Sequence, residues 1–296
     1  MTTAIRFEPV TTNNLRAFVR ITRETLWHPV WPGDEAVAAD FRRWSPEIQQ
    51  GARLIYEGRE LIGRVVAPQF EHYLVLRDLG VRSKRGLAQR VGYALISLAE
   101  RQQANTIRAI LQEPLWLALS ALGFVEQKRR TTMRKSLRHT PATIATANVR
   151  HVASADGDSL GELMYDAYVG TADDEGEDLD LWTRHVGDVM RGQYGRFLPE
   201  ASFVTPTEPP FDSATLVIES ARYCAVLGQV VTRHTHTNRG YARRLISYSL
   251  AALAQFDYEH CFLEVTLSNA NAIHLYHALG FEPVGPQIVY GIKSLP

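Results

Sequence analysis

The chain has 296 residues, of which 45% are hydrophobic, and its 32 Lys and Arg residues balance 32 Asp and Glu residues. This length predicts two packed domains, because a domain typically has about 100–200 residues. The zero net charge argues against a nucleic-acid or membrane-surface binder, and no apolar run approaches the roughly 20 residues that span a bilayer.

The first half of the sequence alternates between strand and helix patterns. The assignments rest on apolar residues that recur with the helical period or alternate as in a strand. The predicted elements are a strand at 5–10, helices at 11–27 and 34–50, strands at 52–58, 60–67 and 72–81, a helix at 86–103, a strand at 106–111 and a helix at 114–122.

The second half repeats this order after a linker-like stretch at 138–147. Its predicted elements are a strand at 149–154, helices at 159–170 and 181–191, strands at 201–205, 213–220 and 223–232, a helix after Gly240, a strand at 260–266 and a helix at 271–279. The two halves also share the segments RGLAQR (85–90) and RGYARR (239–244), and each has an LGF tripeptide. This repeat predicts two α/β or α+β domains, at 1–140 and 148–296.

A short loop joins the strand at 223–232 to the helix that follows Gly240. The unpaired backbone N–H groups in the first turn of a helix, with the positive end of its dipole, form a site for anions such as phosphate. Gly240 and Ala242 are small enough for a diphosphate to approach the backbone, and Arg239 and Arg243 add positive charge. The loop alone is also explained by a glycine that eases the turn, beside solvated arginines.

A second motif, N-x-x-A-x-x-L-Y-x-x-x-G-F, runs from Asn269 to Phe281. With the Gly240 loop, it resembles the GNAT superfamily, whose members take acyl groups from acyl-coenzyme A. The family's phosphate loop has Arg or Gln three positions before its glycine, and Thr237 replaces that residue here. The resemblance predicts an α+β fold: two tandem GNAT-like domains, each a mixed, mostly antiparallel sheet flanked by helices.

The resemblance implies that acetyl-CoA, or another acyl-CoA, binds in the second domain as a co-substrate. Tyr276 would lie near its sulfur as the general acid, because a phenol with a pKa of about 10 can give a proton to the departing thiolate. The implied cofactor contacts are Val230, Val231, Thr232, Thr237, Asn238, Arg239, Gly240, Tyr241, Ala242, Arg243 and Asn269.

The first half keeps only part of this pattern. Residues 83–88 (SKRGLA) still resemble a phosphate loop, but Leu119 lies four positions before Gly123, where the second half has Tyr276. Leucine cannot donate a proton. The first domain is therefore predicted to be a degenerate copy that is not catalytic.

The sequence leaves the general base open. Glu264 lies in the middle of a strand, where it either faces the cleft or forms a salt bridge beside the core. The family places a wall of the acceptor site in the acidic loop, where Asp173, Asp174, Glu175 and Glu177 either bind a cationic amine or belong to a solvated loop. His234 and His236 flank the phosphate loop, where histidines are most often solvated loop residues.

These features predict an acyl-CoA-dependent N-acyltransferase that transfers the acyl group directly to a primary amine of a small molecule. Two alternatives stay open: a non-catalytic acyl-CoA-binding sensor or scaffold, and an acetyltransferase for protein or peptide amines. No nucleic acid, membrane or metal is expected as a partner, and a homodimer is left open. The two isolated cysteines, Cys224 and Cys261, and the lack of a signal-peptide pattern predict a cytoplasmic protein.

Overall fold

The computed structural model describes residues 4–29, 31, 33–138, 140, 148–171, 173–174, 176–221 and 224–296. Most of the predicted linker lies outside these residues. The chain divides into two compact units: unit 1 consists of Met1–Thr131 and Gly285–Pro296, and unit 2 consists of Thr132–Val284. Within the described ranges, no helix has the length and apolar character needed to cross a bilayer.

The elements of the first part of the chain follow the predicted order closely. They are β1 (Ile5–Pro9), α1 (Leu15–Thr25), α2 (Asp34–Arg43), α3 (Pro46–Gly51), β2 (Ala52–Glu57), β3 (Glu60–Val66), β4 (Gln69–Phe70), β5 (Tyr73–Val81), α4 (Leu87–Arg101), β6 (Thr106–Gln112), α5 (Glu113–Ser120) and β7 (Val125–Ser136).

The second part repeats this order. Its strands and helices are β8 (Arg150–His151), α6 (Gly157–Tyr168), α7 (Leu179–Met190), β9 (Arg196–Phe197), β10 (Phe203–Thr205), β11 (Ser213–Ala221), β12 (Cys224–Thr232), α8 (Tyr241–Gln255), β13 (His260–Thr266), α9 (Ala270–Ala278) and β14 (Glu282–Ser294). Short 3-10 turns lie at Ser154–Asp156, Pro199–Ala201 and His234–His236.

The sheet of unit 1 has the strand order β1–β2–β3–β5–β6–β14, with β4 beside β5. Strands β5 and β6 are parallel, whereas β1–β2, β2–β3, β3–β5 and β6–β14 pair antiparallel. Helix α4 buries Leu87, Val91 and Leu95 in the core beside this sheet, as its apolar period predicts.

The last strand of the chain, β14, belongs to the sheet of unit 1, and its Val289 is fully buried in the unit 1 core. The units therefore differ from the predicted domains at 1–140 and 148–296, because the first boundary follows residue 131 and residues 285–296 return to unit 1. The physical reason is the antiparallel pairing of Ile288 to Ser294 with β6, which joins segments far apart in the sequence. A pattern read along the chain does not encode such a contact.

The sheet of unit 2 has the order β7–β13–β12–β11–β10–β8, with β9 beside β11, and β7 belongs to this unit from Thr132 onward. Strands β12 and β13 are parallel, and β11 pairs antiparallel with β9, β10 and β12. Helix α8 packs its buried residues with Leu263 in one core, while α6 and α7 pack with Leu216 in another. The predicted α+β fold, with mixed and mostly antiparallel sheets flanked by helices, is confirmed.

Three local predictions differ from the structure. The predicted helix at 34–50 breaks into α2 and α3, because Ser45 precedes Pro46 and takes an extended conformation with ψ 155°. The predicted strand at 149–154 shortens to two residues, since the Asp156 carboxylate accepts a hydrogen bond from the Ala153 N–H at 2.7 Å and starts a turn. Strands β7 and β14 follow the LGF tripeptides and were not predicted.

Candidate active site

Strands β12 and β13 of unit 2 separate part-way along their length. Their parallel pairing ends at Val226 opposite Phe262. The next pairs between β11 and β12 skip Gly228, which forms a bulge in β12. A bulge bends its strand, and β12 stays paired with β11 as far as Thr232. The end of β12 therefore diverges from β13 and leaves a gap beside Val230, Val231 and Thr232.

Gly240 is the N-cap residue of helix α8, and its φ of 80° is a left-handed conformation that suits glycine. A Cβ built at this residue would meet no atom within 4 Å, so the space in front of the helix is open. Gly240 has no side chain to cap the helix, and the backbone N–H groups of its first turn remain available to an anion.

Helix α9 carries Tyr276 at the other side of the gap. Asn269 caps this helix, because its Oδ1 accepts a hydrogen bond from the Ala272 N–H at 3.1 Å. The Tyr276 side chain is 8% exposed and packs against Phe281. Burial raises the pKa of the Tyr276 hydroxyl above its ordinary value, and the neighbouring oxygens of Tyr168 and Asp173 raise it further.

These three features border one cavity of about 480 Å³, a volume in the range of small-molecule sites, about 300–1,000 Å³. Arg239 is not among its lining residues, and its Nη2 donates to the Thr235 carbonyl at 3.2 Å. The cavity brings together the other sequence-predicted residues: Val230, Val231, Thr232, Thr237, Asn238, Gly240, Tyr241, Ala242, Arg243, Asn269 and Tyr276.

Two of the acidic residues that the sequence suggests for binding the acceptor, Asp174 and Glu264, do not line the cavity. Glu175 lies outside the described residues. Asp174 holds its own loop together, because its carboxylate accepts the N–H groups of Gly170 and Gly176 at 2.7 and 2.8 Å, which lowers the pKa of Asp174. Glu264 is exposed on β13, and neither it nor Asp174 is among the residues that line the cavity.

Other residues also line the same cavity, and Tyr168 is one that no sequence motif marked. Tyr168, at the end of α6, stacks on Trp182 at 4.7 Å and donates its hydroxyl hydrogen to Gln229 Oε1 at 2.7 Å. Asp173, one of the four acidic residues that the sequence suggests for binding a cationic amine, also lines the cavity. His236 lines the phosphate-loop end, and its Nε2 lies 3.6 Å from Asp212 Oδ1.

Unit 1 has a similar glycine turn before α4, but different side chains lie at the positions that correspond to the site in unit 2. Gly86 starts α4 with φ 70°, as Gly240 starts α8. Beside this turn, however, the Lys84 ammonium forms an ion pair with Glu60 at 2.6 Å. Leu119, which corresponds to Tyr276, is fully buried in the apolar core. Unit 1 therefore has no hydroxyl at this position.

Residues 202–281 match the sequence model of the Acetyltransferase (GNAT) family. The matched segment contains the bulged strand, the turn at Gly240 and Tyr276. Unit 2 carries a GNAT domain. The predicted resemblance is thereby confirmed, and proteins of this family use acetyl-CoA as a co-substrate. A comparison with curated protein sequences found no significant match.

Solved structures resemble the whole chain, beyond the GNAT domain. A GCN5-related N-acetyltransferase from Sphaerobacter thermophilus has a TM-score of 0.74 at 16% identity, over 98% of this chain and 95% of that chain. A tandem GNAT protein from the clavulanic acid biosynthesis pathway has a TM-score of 0.67 at 17% identity, over 98% of each chain. A GNAT-family acetyltransferase from Colwellia psychrerythraea gives 0.60 at 11% identity, over 98% and 100%. These similarities establish the fold.

Proposed function

We propose that the chain is an acyl-CoA-dependent N-acyltransferase that uses acetyl-CoA and acylates a primary amine of a small molecule. One observation carries the proposal: the open first turn of α8, the diverging end of β12 and the ring of Tyr276 line a single cavity in the GNAT domain. Bound acyl-CoA would supply an acyl group in a reactive thioester. The residues of unit 2 would bind and orient the acyl-CoA, and Tyr276 would protonate the departing thiolate.

The residues around Gly240 fit the diphosphate of an acyl-CoA. The open space in front of this glycine admits a ligand to the backbone amides, and Arg243 lines the same end of the cavity. Thr237, which departs from the family pattern, donates its hydroxyl hydrogen to the His234 carbonyl at 3.1 Å and so supports the turn. The departure removes a long polar side chain but keeps the amides that bind an anion.

Tyr276 is proposed as the general acid. Its burial raises the pKa of the hydroxyl, so that the proton stays in place near neutral pH and is available to a departing thiolate. A correctly placed acid or base typically accelerates a reaction by about 10²- to 10⁴-fold. In unit 1 the buried Leu119 offers no such group, and unit 1 is proposed to be non-catalytic.

A cytoplasmic location stays a prediction. It is supported by the state of the two cysteines, because Cys224 and Cys261 are buried free thiols. Burial also raises the pKa of Cys261 to about 12, which disfavours the thiolate form that reacts with oxidants and thiol reagents.

Thiol release tests the function. Acetyl-CoA is incubated with the protein and each of five amines (benzylamine, tryptamine, propylamine, spermidine and glucosamine), and coenzyme A is detected with a disulfide reagent. The buried cysteines of the folded protein do not interfere. We expect amine-dependent release with at least one amine, and calorimetry to give one bound acetyl-CoA per chain. Binding of acetyl-CoA without release for any amine would contradict the transferase and favour the sensor.

A further inference from the structure

Asp173 lies where the loop between α6 and α7 borders the cavity of the GNAT domain. Its Oδ1 accepts a hydrogen bond from Thr266 Oγ1 at 2.5 Å. Thr266 is the last residue of β13 and is only 3% exposed, so it is a fixed donor. The strand therefore holds the Asp173 carboxylate at the border of the cavity.

The carboxylate of Asp173 lines the same cavity as Tyr276. Both residues line it, together with Tyr168. Asp173 and Tyr168 are also close enough to Tyr276 to raise the pKa of its hydroxyl, in addition to the effect of burial. An acyl acceptor that reaches Tyr276 therefore passes beside a negative charge.

Two other acidic residues that the sequence suggests for binding the acceptor, Asp174 and Glu264, do not line the cavity. The carboxylate of Asp174 is engaged by the backbone of its own loop. Glu264 is exposed and is not among the residues that line the cavity. Among the described carboxylates of this wall, Asp173 is the one that lines the cavity with Tyr276.

We propose that Asp173 binds the ammonium group of a cationic amine acceptor and takes its proton, with Thr266 as the positioning residue. The inference rests on the proposed transferase function and adds the acceptor class: an alkylamine that is charged near neutral pH. A carboxylate is the natural partner for an ammonium ion, because a hydrogen bond between two charged groups is stronger than a neutral one.

The proton and electron balance is complete with groups that the cavity contains. An N–H bond of the ammonium breaks, its proton goes to Asp173, and the electron pair stays on nitrogen. That pair forms the C–N bond to the acyl carbon, the C–S bond breaks, and the sulfur takes a proton from the Tyr276 hydroxyl. Tyr276 regains a proton from the same nitrogen, and Asp173 releases its proton to water.

Steady-state kinetics with two matched probes test this role. Benzylamine is an ammonium ion near neutral pH, whereas aniline is neutral and needs no proton removed before attack. Asp173→Asn should lower kcat/KM for benzylamine by about 100-fold or more. The loss should be much larger for benzylamine than for aniline, because aniline brings neither a charge nor a proton that must be removed before attack. Asp180→Asn is the matched control, since Asp180 lies exposed in the first turn of α7 outside the cavity.

Variants of Thr266 separate positioning from folding. Thr266→Val removes the hydroxyl that orients Asp173 and should lower kcat/KM for benzylamine by about 3- to 10-fold, the effect of one hydrogen bond. Thr266→Ser keeps the hydroxyl and should restore the rate. Thermal unfolding of each variant checks that the fold is intact.

These experiments distinguish failure of the proposed role of Asp173 from failure of the proposed transferase function. If the wild-type protein acylates benzylamine and Asp173→Asn does so equally well, the role of Asp173 is wrong while the transferase function stands. If neither benzylamine nor any other amine releases coenzyme A although acetyl-CoA binds, both proposals fall together.

Discussion

Replacing Tyr276 by phenylalanine is expected to lower kcat by about 10²- to 10⁴-fold, the usual contribution of a general acid. The affinity for acetyl-CoA should stay unchanged. Phenylalanine keeps the ring that packs against Phe281 in the core of unit 2, and it removes only the hydroxyl. Steady-state rates of thiol release, with calorimetry for the cofactor, measure both quantities.

Tyr258→Phe is the matched control for this variant. Tyr258 is 6% exposed and belongs to the same core cluster as Tyr276, but its hydroxyl interacts with Arg196 and Glu219 outside the cavity. Loss of that hydroxyl should cost about 1.5–3 kcal/mol of folding free energy, as for a hydrogen bond to a charged group, and leave kcat unchanged. A Tyr276→Phe variant as active as Tyr258→Phe would rule out the phenol as the proton donor.

Replacing Gly240 by alanine should weaken acetyl-CoA binding by about 10- to 100-fold, because charge-assisted hydrogen bonds of about 1.5–3 kcal/mol are disturbed. The new Cβ would project into the open space in front of α8, where the diphosphate is proposed to bind. The measurement is the dissociation constant of acetyl-CoA, with kcat at saturating acetyl-CoA expected to change little.

Gly86→Ala provides the control for backbone strain. Gly86 and Gly240 have similar φ values, 70° and 80°, each begins a helix, and a Cβ at either would meet no atom within 4 Å. Both substitutions should therefore cost about 1–2 kcal/mol of stability, the penalty for a left-handed alanine. Only Gly240→Ala should change the affinity for acetyl-CoA. Equal losses of affinity in both variants would mean that backbone strain, or a binding site in unit 1, determines the affinity for acetyl-CoA.

The site features that the sequence predicts are those set by local chemistry. The glycine before α8 needs a left-handed conformation, and the motif from Asn269 to Phe281, through its resemblance to the GNAT family, implies the position of Tyr276. The same local rules find the equivalent turn at Gly86. Because these signals lie within one turn or one helix, a single sequence is enough to read them.

The features that the sequence misses depend on distant partners. Strand β14 contains Pro283, Gly285, Pro286 and Gly291, which weaken a strand pattern, and its stability comes from pairing with β6. Asp173 cannot be told from its acidic neighbours until the loop is folded, because its contact with Thr266 joins residues that are far apart in the sequence.

The most direct measurement is a crystal structure with coenzyme A bound. We expect its diphosphate to accept hydrogen bonds from the backbone amides that follow Gly240, its pantetheine to lie beside Val230 to Thr232, and its sulfur to reach the Tyr276 hydroxyl. Coenzyme A bound in unit 1, or in unit 2 with its sulfur out of reach of Tyr276, would contradict the proposed site.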